Sequence, residues 1–554
     1  MAGIMSRKIK TPLFMVLFAS TLAFILYIPL LKSSFLGQNE PGNLIVIRGT
    51  GEQSLVFEFQ GQEELGRKAP ETALLLPEWE VLVLFTLETS TENNLPRDSG
   101  LSCMFQDGLW TPARPAGKLF PGYRIAVRCS VPAKLRRIRP FKQPKLVLSG
   151  EFPDDLSGQD SPELARWNFV VYDTLTTKED VMLFAKGINS RQGVNFPARE
   201  LACVFSGGVR TRVLSSSQEV FRCQKPRRDI SPQISGEIVT LDIGGRIIPS
   251  VAIYQPLSPQ TSLPTKQFTG KPLLCACTMV FNAGKFLKEW VMYHSFIGVE
   301  HFYFYDNLSD DNTHNVLMEL ENQGYGITRR VWPWPKTQEA GFSHCAQSTM
   351  DSCEWMLFTD VDEFVFSPKW GNLQDPRNAL QPLLKQTQDN SSRIGQISIN
   401  CLDFGPSNQT THPLKGLMQG YDCRGRRIQR HKSVVQLKAI APSLFTKVHH
   451  FELKPGFKSK KLGLSEFVVN HYKYQAWSEF KTKFRRRVST YVVDWTTNKN
   501  LRSKDRTPGL DNSAIEPEGW AQSFCEVRDR RLQSLSKRWF GEESKTGYSM
   551  AWEE

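Results

Sequence analysis

From Lys271 onward the chain alternates strand-length apolar runs with amphipathic segments, and few architectures accommodate that order. Leu273 to Val280, His301 to Tyr305, Gly326 to Val331 and Trp355 to Thr359 read as strands. Between the first two, Phe286, Trp290, Tyr293 and Ile297 share one helical face, with Asn282 placed to cap the helix and Gly298 to end it. Asn312 to Gln323 and Gln338 to Asp351 supply two further helices. This βαβαβαβ order predicts an α/β, mainly parallel sheet covered by helices. Ligands of such sheets bind beyond the carboxyl ends of the strands, so function is read there.

The second strand ends in Asp306-Asn307, with Asp310-Asp311 following, and the fourth in Thr359-Asp-Val-Asp-Glu-Phe364. Two apart on an extended segment, Asp360 and Asp362 project to one side while Val361 points to the core. Carboxylates gathered at a strand end are costly unless compensated. Two of them with substrate phosphate oxygens make the usual environment of Mg²⁺ or Mn²⁺, which neutralises charge on a departing diphosphate. The competing reading is a solvated acidic loop, and the position after an apolar strand argues against it.

Phe281-Asn-Ala-Gly-Lys-Phe-Leu-Lys-Glu-Trp-Val-Met-Tyr-His294, Phe304-Tyr-Asp-Asn-Leu-Ser309, Thr337-Gln-Glu-Ala-Gly-Phe-Ser-His-Cys345 and Phe358 to Phe364 resemble glycosyltransferase family 92, formerly DUF23. Cys401 to Ser407, Val448 to Phe451 and Asn470 to Trp477 resemble it too, so the likeness runs over residues 271 to 530. The plant members, among them pectic β-1,4-galactan synthases, are the most similar. The resemblance implies a GT-A fold, with a Rossmann-like mixed sheet, and an inverting, metal-dependent transfer of galactose from UDP-galactose to a cell-wall polysaccharide. It implies Mn²⁺ (or Mg²⁺) at Asp360 and Asp362, and Asp306 with Asn307 at the nucleotide base or ribose. Asn282, Gln338 and Asp360 are expected to join them around the UDP-sugar. A histidine from the C-terminal half often completes such a metal site, and His449, His450 and His471 compete for the place. His449 and His450 face opposite ways on an extended segment, so at most one coordinates. Inversion needs a carboxylate to take the acceptor's proton, and Asp403 and Asp422 are the candidates. The rivals are a transferase acting on glycoprotein glycans and an inactive carbohydrate-binding scaffold; the intact Asp360 and Asp362 weigh against the latter.

Ahead of Lys271 the chain changes character. Residues 71–255 carry short alternating runs punctuated by Pro, Gly and Ser, which predicts a mostly β, sandwich-like accessory domain; the family resemblance implies that it is carbohydrate-binding-like. Leu101-Ser-Cys-Met-Phe105 with Cys129, and Leu201-Ala-Cys-Val-Phe205 with Cys223, form a weak internal repeat and predict the disulfides Cys103–Cys129 and Cys203–Cys223. Cys275 and Cys277 read as small core residues. Seven cysteines after residue 260 leave at least one free or paired between chains. Residues 256–271 read as a linker, 272–535 as the transferase domain and 536–554 as a tail.

The run 13–31 is apolar and free of charge, close to the roughly 20 residues of a membrane-crossing helix, with Arg7, Lys8 and Lys10 before it. It predicts a single N-terminal transmembrane signal-anchor, a cytoplasmic tail over 1–12, a stem over 32–70 and a type II orientation with a lumenal catalytic domain, and the family resemblance implies the Golgi membrane. The formal charge of +13 favours polyanionic partners. A lumenal chain meets nucleotide diphosphates and acidic glycans, and nucleic acid is excluded. A homodimer is left open. The basic clusters are Lys134 to Lys145, Arg424 to Lys432 and Arg485 to Arg487, and Asn390 and Asn408 open the favoured glycosylation sequons.

Overall fold

The structure is a computed structural model that describes residues 72–86, 100–120, 124–148, 161–189, 194–257, 270–389, 393–447, 449–483, 516–545 and 547–553. The expected cytoplasmic tail, anchor and stem, most of the linker, the Asn390 sequon and the Arg485 cluster lie outside the described residues.

The N-terminal half is built of strands. A five-stranded sheet holds Thr72–Leu76, Glu80–Thr86, Arg114–Leu119, Arg124–Ser130 and Ala165–Arg166, and a seven-stranded sheet runs from Val170–Thr176 to Arg246–Ile247. Alternation explains the double burial of Glu80–Thr86: Val81, Val83 and Phe85 enter one core with Cys103, Val127 and Leu146, while Leu82 and Leu84 enter another. Both predicted disulfides, Cys103–Cys129 and Cys203–Cys223, are present.

The C-terminal half is a ten-stranded mixed sheet. Its elements are β1 (Leu274–Val280), α1 (Gly284–Phe296), β2 (His301–Asp306), α2 (Thr313–Asn322), β3 (Ile327–Val331), α3 (Gln338–Ser348), β4 (Trp355–Phe358) and β5 (Glu363–Phe366). They continue with β6 (Ile394–Phe404), β7 (Cys423–Gln436), β8 (Lys458–Lys461), β9 (Val468–His471), β10 (Val527–Arg528) and α4 (Arg531–Phe540). The order is β3-β2-β1-β4-β7-β6-β9-β5, with β8 added on β6 and β10 on β7. The first four strands are parallel, and β7 then turns the sheet antiparallel.

The expected fold class is corrected. Helices alternate with strands only as far as β4; beyond it the chain returns largely as strands, and the described molecule is strand-rich with few, short helices rather than evenly α/β. Among the described residues no helix is long and apolar enough to cross a membrane, so the described fold carries no transmembrane helix; the run 13–31 lies outside those residues.

Cys275 and Cys277 are also corrected. They are buried, but they pair with Cys353 and Cys345. Two apart on β1, they point to one face, and α3 with the turn after it lies across that face. Cys423 pairs with Cys525, and Cys401 is the free, buried thiol left by the odd count. Denaturing the chain in iodoacetamide without reductant should therefore label one cysteine, and peptide mapping should place the label on Cys401. Two or more labels would contradict the pairing.

β10 and α4 are tied to β7 through Asp529, which accepts from Arg424 at 2.8 Å and from Arg531 at 2.6 Å. Burial pushes this carboxyl up, but the two guanidinium groups outweigh it and hold it at about 2. A depressed carboxyl stabilises the fold above its unfolded value of about 4, and that contribution is lost as pH falls toward 2. Acid titration followed by far-UV dichroism should show Asp529→Asn losing less stability than the parent across this window. Parallel losses would remove Asp529 as the cause.

Candidate functional site

A cavity of about 250 Å³ opens beyond the carboxyl ends of β1, β2 and β4. Phe281 to Ala283 follow β1, Asn307 follows β2, Lys336 to Gln338 lead into α3, and Asp360 to Asp362 follow β4. Gln475, Glu479, Thr482 and Lys483 close it from the segment after β9. Of the expected site residues, Asn282, Asn307, Gln338, Asp360 and Asp362 meet here.

Asp360 accepts from Gln338 Nε2 at 2.9 Å and from Lys432 Nζ at 3.0 Å. Asp362 accepts from Lys483 Nζ and faces His471 Nε2 at 3.6 Å. Behind them Glu363 receives the Asp360 backbone N–H at 2.9 Å and pairs with Lys432 at 2.8 Å. Sheet register sets the deeper layer. His471 on β9 lies opposite Glu363 on β5 and Asp403 on β6, and cross-strand partners project to one face. Asp403 accordingly holds His471 Nδ1 at 2.9 Å and accepts from Lys473 at 3.0 Å.

Four buried or half-buried carboxylates, Asp360, Asp362, Glu363 and Asp403, are thus set among Lys432, Lys473, Lys483 and His471. Burial alone would raise Asp362, but Lys483 and His471 hold it well below the usual carboxylate range. Burial wins at Glu363, which is raised despite Lys432. Burial would lower His471, yet Glu363, Asp403 and Asp362 together raise it. Lys432 is raised in the same way, burial being outweighed by Asp360 and Glu363.

Several expectations change. Asp306 is fully buried, with Arg329 at 2.9 and 2.6 Å on one oxygen and the Ser309 N–H at 2.9 Å on the other, so it faces structure and not the cavity. Adjacent residues at the end of a strand point to opposite sides, and Asn307 is the one turned inward. Asn282 does not cap α1, whose first flanking residue is Ala283; its side chain exchanges hydrogen bonds with Asp310 at 2.6 and 2.9 Å. His449 meets Lys432 Nζ at 2.7 Å through Nε2, and His450 lies against His431 with ring centres 4.0 Å apart and planes tilted by 41°, so neither faces Asp362. Asp403 stands behind His471 and not at the cavity wall. Asp422 is taken by Arg528 at 3.1 Å and Arg530 at 2.8 Å and does not line the cavity either.

No three His, Cys, Asp or Glu side chains among the described residues converge closely enough to hold an ion outright. The donor chemistry nevertheless suits one. His471 Nε2 is buried without a hydrogen-bond partner, its ring is fixed by Asp403, and the Lys483 ammonium stands against Asp362 as the positive charge in that place.

The residues that sequence reasoning missed are Lys285, Lys336, Glu363, Glu479 and Lys483, and Lys432 was named only as the end of a basic cluster. Glu363 sits inside the acidic motif itself. Lys432 shows as a charge entering the apolar run before Val434, whereas Glu479 and Lys483 carry no local signal and arrive by the chain's return over the cavity.

A cavity at parallel strand ends, walled by paired carboxylates and ammonium groups, defines a site for an oxygen-rich anionic ligand undergoing group transfer. Residues 271–506 match the family model described as glycosyltransferase family 92. A family 92 protein of Oryza sativa subsp. japonica is 40% identical over 402 residues, 68% of this chain and 67% of that one. One of Arabidopsis thaliana is 39% identical, covering 73% and 72%, and one of Ricinus communis 36%, covering 87% and 85%. Among solved structures, glucosyl-3-phosphoglycerate synthase of Mycobacterium tuberculosis, in complex with Mn²⁺, UDP and glucosyl-3-phosphoglycerate, aligns at 11% identity and a TM-score of 0.20 over 39% of this chain and 78% of that one. The chain belongs to glycosyltransferase family 92 and is a glycosyltransferase.

Proposed function

We propose that the chain transfers galactose, with inversion, from UDP-galactose to a β-1,4-linked cell-wall galactan in the Golgi lumen. The observation that carries this reading is the meeting of Asp360 and Asp362 with Lys336, Lys483 and Lys285 around one cavity beyond the strand ends. Ammonium groups bind the diphosphate of a nucleotide sugar, and Asn307, its Nδ2 held by the Trp332 and Trp334 carbonyls, supplies a neutral contact at the wall. Five disulfides suit an oxidising compartment such as the secretory lumen.

Asp360, Asp362 and His471 are the residues that would hold Mn²⁺ or Mg²⁺. Such an ion, when bound, offsets the charge that develops on the leaving diphosphate. Asp403 holds His471 through Nδ1 and so orients the ring with Nε2 toward Asp362, where loss of the Nε2 proton would free a lone pair for the ion. Gln338 and Lys432 hold the Asp360 carboxylate in place. Lys483 is displaced from Asp362 toward the phosphates as the donor enters. The acceptor's proton passes to Glu479, a carboxylate at the cavity wall whose ion-pair partner is Lys285, since Asp403 and Asp422 do not reach it.

The test incubates the purified protein with UDP-galactose, Mn²⁺ and β-1,4-galactooligosaccharides and follows chain extension by mass spectrometry. Extension from UDP-galactose supports the reading; transfer from a different UDP-sugar alone removes the galactose assignment. Glu479→Gln should lower kcat by about 10²–10⁴-fold with little change in donor affinity. A rate within tenfold of the parent would return the search for the base to other residues.

A further inference from the structure

From Cys423 to Ser465 the sequence holds eleven lysines and arginines and a single acidic residue, Glu452. The fold does not disperse them. β7 and β8 flank β6 on opposite sides, with Ser433 and Lys461 both opposite Ser398; the arginines of β7 sit further along, about Leu402, and the lysines of β8 run from Ile394 to Ser398, so the cations form a staggered strip along β6. Arg426, Arg427 and Arg430 on β7 are exposed, as are Lys458, Lys460 and Lys461 on β8.

Between these cations the surface is hydrogen-bonding and not apolar. Ser459 is exposed and His431 and His450 are half-buried, their rings tilted against each other, while the buried Ser398 Oγ beneath them lies 3.5 Å from His450 Nδ1 and 3.3 Å from Ser459 Oγ. The neighbouring carboxylates are engaged: Asp529 by Arg424 and Arg531, Glu526 by the Arg426 backbone N–H, Asp422 by Arg528 and Arg530. The strip also leads somewhere. Two residues beyond Arg430 on the same strand, Lys432 reaches inward to Asp360 at the cavity wall.

We propose that β7 and β8 form a docking track for an acidic polysaccharide, a uronate-rich chain whose carboxylates meet the six exposed cations while its hydroxyls meet the serine and histidine groups between them. The track deepens the proposed transferase reading by assigning the acceptor an acidic stretch beside the galactan that is extended. A nucleic acid fits less well, because no aromatic ring is exposed among these residues for bases to stack on. A membrane surface fits less well, because among the described residues of this stretch the exposed large apolar side chains are Ile428 and Leu464 alone.

The experiment measures binding of the full-length protein to a polygalacturonate oligomer, to a neutral β-1,4-galactan oligomer of equal length, to single-stranded RNA and to vesicles containing phosphatidylserine. The parent should bind polygalacturonate most tightly, with affinity falling as salt rises. The variant R426Q/R427Q/R430Q/K458Q/K460Q/K461Q should bind it roughly tenfold or more weakly, and K458R/K460R/K461R should keep it. UDP binding, measured on the same samples by calorimetry, should be unchanged in both variants, which shows the fold intact and separates this proposal from the donor site. Equal polygalacturonate binding by the six-residue variant overturns the track. So does a preference for the neutral glycan, RNA or vesicles. Loss of UDP binding in Asp360→Ala with polygalacturonate binding kept leaves the track standing, and absent donor chemistry in the parent would overturn the transferase reading alone.

Discussion

Asp362→Ala will lower sugar transfer by about 10³-fold, with the loss in kcat and not only in donor affinity. The carboxylate lies between Lys483 and His471, in contact with one and facing the other, and its removal takes away one of the two carboxylates that would hold the ion where the leaving diphosphate is to be stabilised. Binding of UDP itself should weaken far less, because Lys336 and Lys285 remain at the wall. The measurement is UDP release at saturating donor across a Mn²⁺ titration, with dichroism confirming the fold. A variant that keeps its rate within about tenfold would remove Asp362 from the chemistry.

Asp306→Ala will instead act on stability, by about 3 kcal/mol, since it strips a fully buried carboxylate from Arg329 and from the Ser309 N–H. Denaturant unfolding of parent and variant reads the difference. Residual folded Asp306→Ala should show the parent's Michaelis constant for the UDP-sugar. A raised Michaelis constant with unchanged stability would restore Asp306 to the nucleotide.

Both predictions turn on how far local sequence reaches. The acidic motif after β4 was legible as carboxylates gathered at a strand end, and Asp360 and Asp362 do line one cavity. The segment is a turn and not extended, with the Glu363 N–H on the Asp360 carbonyl at 3.1 Å, and Val361 lines the cavity too. The four parallel strands were legible from their apolar runs. The strands beyond β4 were not, because antiparallel return strands are set by long-range register and not by a local period. The same limit explains Asp403. Its opposition to His471 comes from β6 pairing β9 across 68 residues, so its role as the group that fixes an imidazole was visible only once the register was known. The disulfides divide likewise: Cys103–Cys129 and Cys203–Cys223 close short loops within repeated motifs, whereas Cys275–Cys353 and Cys277–Cys345 span a helical crossover. Glu479 and Lys483 had no signal at all, since only the returning chain brings them over the cavity.

The strand Glu80–Thr86 sends Leu82 and Leu84 into a core that also contains Tyr303, Trp332, Trp334 and Val435 of the catalytic sheet. Polar ties run the same way: Trp334 Nε1 donates to Asp173 at 2.8 Å, Arg222 to Gln347 at 2.6 Å, and Lys186 to the carbonyl of Lys336, a cavity residue, at 3.0 Å. The two halves are therefore not interchangeable parts. A truncated catalytic half would expose tryptophans to water and lose the brace under Lys336, so a recombinant fragment starting near residue 271 should be insoluble rather than a minimal enzyme. Any lineage that exchanged its N-terminal strands would have had to rebuild the underside of its donor pocket at the same time.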